Sequence, residues 1–138
     1  MKSNDVTDVF NKNKQHVIFL FSSIIFLMFF RTFAFDNIVI FGESMHPTFC
    51  SGDVIIFQKF SLNNAQLGDI VIANIDGKLL VKRVTYISYF NELRKFFITG
   101  DNYNLSFDSK DFGFICSTQI VGIAVLRVFP FRSFGRIL

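Results

Sequence analysis

The chain has 138 residues, 51% of them hydrophobic and 21 of them Phe, with a formal net charge of +3. That length holds one domain of about a hundred residues plus an appendage, and the apolar share, above that of an average soluble domain, points to a membrane. So small a charge with no long basic run excludes nucleic acid as a partner, and the two cysteines, Cys50 and Cys116, are too few for a four-ligand zinc site, so no metal or cofactor is expected.

Residues 1–15 are polar, with Lys2, Lys12 and Lys14 set against Asp5 and Asp8. They read as a short tail with too little apolar surface to fold alone. Val17 to Phe30 is interrupted only by Ser22 and Ser23, and Arg31 is followed by Thr32-Phe33-Ala34-Phe35. At about 1.5 Å per residue, the stretch from Val17 to Phe35 spans about 28 Å, close to the hydrocarbon thickness, with Arg31 near enough to one end to snorkel. A transmembrane anchor over residues 16–35 is expected. A cleaved signal peptide competes with this reading, but no small-x-small site follows the apolar core. Lys12 and Lys14 just before the helix leave the N-terminus cytoplasmic and residues 36–138 outside.

Beyond the anchor the period becomes strand-like. Asn37–Phe41, Val54–Lys59, Asp69–Ile75, Leu79–Tyr89, Lys95–Thr99 and Gln119–Phe129 are β-branched or aromatic runs bounded by Gly, Asn or Asp, so residues 36–138 should form one all-β domain. Asp76-Gly77 between Ile75 and Lys78 reads as a two-residue hairpin loop. That register sets Lys82 opposite Val71, on a sheet face with Ala73, Leu80 and Val84. Burial there disfavours the ammonium form and prepares a neutral base, whereas a solvated lysine on a sheet edge would be inert.

Gly42-Glu43-Ser44-Met45-His46-Pro47-Thr48 precedes Gly52-Asp53 and the run Val54–Phe57. By composition it is a polar turn, with Ser44 as a candidate nucleophile. His46 is a rival base, since histidine is the commonest one. It is too close in sequence to present its nitrogen well, and no clearly placed carboxylate orients it; His16 lies on the far side of the anchor. Gly100-Asp101-Asn102, followed by Ser106, Asp108 and Ser109, forms a third polar segment. Its aspartates suit turn capping. The cysteines read as buried free thiols, or as a bridge if the domain is extracytoplasmic. In the C-terminal residues 126–136 arginines alternate with phenylalanines, which suits a membrane interface or a basic tail packing its Phe inward.

In this order, the Ser44 segment, Val81-Lys82-Arg83-Val84 and the Gly100–Ser109 segment resemble the bacterial type I signal peptidases, over a region from about Arg31 to the C-terminus. The resemblance implies a β-rich catalytic core of antiparallel, partly closed, barrel-like sheets lying on the membrane. It implies a Ser44/Lys82 dyad, with an oxyanion hole from the Ser44 N–H and a group at Gly42. Here Gly42 offers no side-chain donor, so its part would be a permissive backbone. Ser106 matches the serine that bonds the catalytic amine, and Asp101 and Asp108 match supporting acidic positions, with Arg83 as the ion-pair partner of Asp101. The implied substrates are secretory preproteins with small residues at the first and third positions before the cut. They would lie extended beside a strand edge, and Ile38, Ile40 and Val81 are the candidate pocket walls. Membrane lipid is the other partner, and it concentrates enzyme and substrate together.

Two departures stand out. Lys110 occupies a position where many relatives have arginine, which reduces any contact with Asp108 to a point charge. Only fifteen residues separate Val84 from Gly100, so the core is minimal. Three alternatives remain: a maturation peptidase for one dedicated exported protein, as in conjugation-linked relatives; an inactive anchored β-domain that binds exported peptides; and a Ser/Lys self-cleaving repressor, which would need a DNA-binding domain where this chain has an anchor.

Overall fold

The computed structural model describes residues 3–59, 65–90 and 93–137, with side chains described from residue 13 onward except at 30–33 and 136. The chain divides between Phe33 and Ala34 into two compact units. The first is a single helix, α1 (Ser3–Ala34). Residues 3–15, expected as an unfolded tail, belong to this helix, because once a helix is nucleated each further residue adds a hydrogen bond. Its large apolar side chains point outward, from Val17 at 50% exposure to Phe19 at 70% and Phe26 at 67%. Among the described residues no helix is long and apolar enough to cross a membrane.

The second unit is built on strands. These are β1 (Phe35–Val39), β2 (Val54–Gln58), β3 (Ile70–Ile75), β4 (Lys78–Phe90), β5 (Leu93–Thr99), β6 (Ile115–Cys116), β7 (Ile120–Phe129) and β8 (Gly135–Arg136), with a one-turn helix α2 (Ser109–Phe112) before β6. Among the described residues they form one antiparallel sheet of order β1-β2-β7-β3-β4-β5-β6, with β8 added on β7. Among the described residues the expected barrel-like closure is absent: there β1 pairs only with β2, and the two-residue β6 only with β5. So short a strand offers too few ladder bonds to join a far edge.

The chain coils around β3, which is buried on both faces. Val71, Ala73 and Ile75 pack with Val84, Phe96, Ile98, Ile115 and Ile120. Ile70 and Ile72 pack with Ile40, Met45, Phe49, Ile55 and Phe57. A strand sandwiched in this way reads as a continuous apolar run rather than an alternating one. The β3–β4 hairpin turns through Asp76 and Gly77, both at positive φ (50° and 81°), as a loop of the I′ kind demands. Ile75 faces Lys78 and Val71 faces Lys82, the register read from the turn residues.

Two expectations need correction. Cys50 and Cys116 are free but exposed, not buried: Cys50 sits in the turn before β2, and Cys116 on the outer face of the edge strand β6. The C-terminal phenylalanines do not pack inward. After β7 a 3₁₀ turn (Phe131–Ser133) returns the chain, and β8 pairs Arg136 with Leu126 while Phe129, Phe131 and Phe134 stay exposed.

Candidate active site

The Ser44 segment is a loop closed at its base by Ile40 N donating to Asp53 O at 2.8 Å and Gly52 N donating to Ile40 O at 2.9 Å. Within it, His46 N donates to Glu43 O at 3.1 Å and Phe49 N to Met45 O at 2.8 Å. Met45 and Phe49 plug the loop into the core, at 1% and 0% exposure. Ser44 is thereby left half-buried at the edge of a groove of about 400 Å³, lined by residues 37–41 on one wall and 79–82 on the other, with Met45 beside Ser44. Ile38, Ile40 and Val81 are among these lining residues, as is Lys82. Gly42 holds a φ of +81°, which any side chain would strain.

Lys82 is 2% exposed, one of the few charged groups buried in the second unit. Its Nζ donates to Ser106 Oγ at 3.1 Å. Ser106 Oγ also accepts from Gly100 N at 3.1 Å, and it donates its own proton to Asp108 Oδ2 at 2.5 Å. A hydroxyl has one proton and two lone pairs, so Ser106 can meet the amine only as an acceptor. One amine N–H is thereby directed at Ser106, while Lys82 also lines the groove. Burial pushes the Lys82 amine below its ordinary value. The nearby Asp108 carboxylate opposes that shift without cancelling it.

Asp108 is fully buried. It accepts from Gly100 N at 3.0 Å and caps α2 through Lys110 N at 3.1 Å, while its own N–H donates to Asp111 Oδ2 at 2.9 Å. Burial alone would raise its pKa, but the hydrogen bonds from Ser106, Gly100 N and Lys110 N hold the carboxyl below the usual range. The Lys110 ammonium stands 3.5 Å away, a single contact. Ser109 accepts from Ile98 N at 3.0 Å through its hydroxyl, tying the segment to β5.

Two further contacts join this segment to the Ser44 loop. Asn102 N donates to Ser44 O at 2.9 Å, and Thr48 Oγ1 donates to Asp101. Asp101 in turn receives a fork from Arg83, Nε to Oδ1 at 2.9 Å and Nη2 to Oδ2 at 2.8 Å, and Arg83 Nη1 donates to Gly68 O at 2.8 Å. Burial would raise the Asp101 pKa, but the hydrogen bonds from Arg83 and Thr48 outweigh it and hold the carboxyl low. Among the described residues no cluster of metal-ligating side chains occurs.

A sequence model of the family described as signal peptidase, peptidase S26, matches residues 13–87, more than half of the chain. The chain belongs to that family. Signal peptidase I of Bacillus caldolyticus is 29% identical over 155 positions that cover 76% of this chain and 85% of the relative. Probable signal peptidase I-1 of Synechocystis sp. is 22% identical over 182 positions, covering 99% of this chain and 93% of the relative. The chain is thus a signal peptidase-type hydrolase.

Within this signal peptidase, the family match spans Ser44, Lys82 and Arg83 and stops before Gly100. The segment bearing Asp101, Ser106 and Asp108 lies beyond that match and is joined to them by the folded contacts above. His46 lies in the same loop as Ser44 with its side chain exposed. Thr48, Asp53 and Arg127 were not singled out in the sequence, although all three hold the loop. Thr48 and Asp53 fall within the Ser44 stretch and Arg127 within the C-terminal Arg/Phe stretch, but no local signal pairs Arg127 with the loop.

Proposed function

We propose that this chain removes N-terminal signal peptides from exported preproteins as a membrane-anchored serine endopeptidase, with Ser44 as nucleophile and Lys82 as general base. The observation that carries the reading is a lysine at 2% exposure, its amine bonded to Ser106, lining the same groove as Ser44. Neutral Lys82 takes the Ser44 proton as Oγ attacks the scissile carbonyl. The Ser44 N–H then stabilises the oxyanion while the Gly42 backbone lets the carbonyl approach. As the intermediate collapses, the Lys82 ammonium returns the proton to the leaving amine, and a water deprotonated by Lys82 releases the acyl group. Ser106 orients the amine, and Arg83, Asp101 and Asp108 support the loops that carry it.

The groove suits an extended peptide. β1 pairs on one side only, and the ladder of β4 with β5 begins at Arg83, which leaves 78–82 paired only with β3 among the described residues. A substrate strand between these edges would be held by main-chain bonds. Ile38, Ile40 and Val81 would leave room for small side chains only. The exposed apolar side chains among residues 17–29 support an anchor over 16–35, and Lys12 and Lys14 before it would leave the N-terminus cytoplasmic and residues 36–138 outside.

The test is cleavage of a model preprotein by the detergent-purified chain. Wild type should cut after a small residue, and Ser44→Ala and Lys82→Ala, folded as judged by circular dichroism, should lose the activity. Retained cleavage by Lys82→Ala with loss in His46→Ala would move the base to His46. A wild type inert on several preproteins would favour a peptide-binding domain.

A further inference from the structure

Arg127 lies on β7, 79 residues from Thr48, and its guanidinium meets three residues of the Ser44 loop. Its Nη2 donates to Thr48 O. Its Nη1 stands 3.6 Å from Asp53 Oδ2, and its guanidinium carbon lies 4.8 Å from the centre of the Phe49 ring. Asp53 is itself 4% exposed and accepts from Cys50 N at 3.1 Å. The loop is therefore gripped by Arg127 as well as through the Arg83–Asp101 pair, and Thr48 is where the two grips meet, its hydroxyl bound to Asp101 and its carbonyl to Arg127.

We propose that Arg127 is a positioning residue for the nucleophile, setting where Ser44 stands in the groove without touching the reacting atoms. The inference rests on Ser44 being the nucleophile and goes beyond it by assigning its placement to the C-terminal strand. The path is short: fixing Thr48 and Phe49 fixes the Phe49 N–H that bonds Met45 O, and with it the Met45–His46 peptide, one residue beyond Ser44. A planar fork that can stack on a ring while reaching two acceptors suits this task, and an ammonium can meet only part of it. Displacing a reacting group by about 1 Å can cost about 100-fold in rate.

Arg127→Met and Arg127→Lys, assayed as detergent-purified full-length chain on the model preprotein, test this. Arg127→Met should lower kcat about 10- to 100-fold with KM within about twofold, because the groove walls and Lys82 are not among its contacts. Its acid limb in the pH profile should stay where wild type has it, since the base is unaltered. Arg127→Lys should recover part of the loss. Wild-type kcat in Arg127→Met, or a raised KM with a displaced pH limb, overturns the proposal. If Arg127→Met does not fold, Arg127→Lys decides: a severalfold lower kcat at unchanged KM supports the role, and an unchanged kcat overturns it. A parallel Ser44→Ala separates the two levels, since activity there removes the nucleophile assignment itself, whereas an inactive Ser44→Ala beside an unaffected Arg127→Met removes only the positioning role.

Discussion

Lys82 carries two opposite demands. A buried amine is useful as a base because burial disfavours its charged form, and for the same reason it weakens the fold. Its folded pKa lies below the ordinary 10.5, so the unfolded chain binds the proton more readily. Stability from this group therefore rises with pH between the folded value and 10.5, and below that window the full penalty remains. Lys82→Met should abolish cleavage yet raise Tm at pH 7 by roughly 4 °C or more, the shift of about 1 kcal/mol in a domain of this size; a lower Tm by calorimetry would contradict the account. With Lys82 as the proposed base the neutral amine is the active form, so kcat/KM should rise as pH climbs through the folded pKa. The Lys110 ammonium lowers that pKa. Lys110→Met should hence move the acid limb to higher pH, by an amount that shrinks in high salt because Lys110 is solvent-exposed.

The polar segment between β5 and α2 works because it can approach the Ser44 loop closely. A Cβ on Gly100 would collide with Ser106 Oγ and the Ser44 carbonyl, and would stand 2.7 Å from Ser106 Cβ. The glycine is required by contact, for it has no positive φ to explain it. Gly100→Ala should separate the Ser106 and Ser44 segments, lose more than about 90% of activity and cost about 1–3 kcal/mol, as overpacking does, measured by peptide cleavage and urea unfolding. The β3–β4 hairpin shows the opposite case, an element legible in full from local residues. Two turn positions with positive φ fix the register, the register fixes the face, and the face delivers Lys82 to the core.

At the scale of the molecule, the groove, the buried lysine and its hydrogen-bonded support all lie in residues 34–138, a compact unit with its own core. Residues 34–138 expressed alone should fold and cleave a soluble signal-peptide analogue with kcat within a few-fold of the full chain. Cleavage of preprotein in vesicles should fall further, because a shared membrane raises effective concentration. Equal losses on both substrates would argue against an anchoring role for α1.

By itself the sequence determined the six longer strands, the hairpin register and the burial of Lys82, and it marked the three segments proposed to carry the chemistry. Each is written in local terms, as period-two alternation, turn residues with their φ preferences, or short motifs. It did not determine that residues 3–15 join α1, that the sheet stays open, or that both cysteines face solvent. Nor did it reveal that Arg127 and Asp53 grip the Ser44 loop. These depend on which strand lies beside which and on what packs over each face, contacts between residues as far apart as Thr48 and Arg127. Side-chain partners at that separation leave no periodic trace in the chain, and only the tertiary structure brings them together.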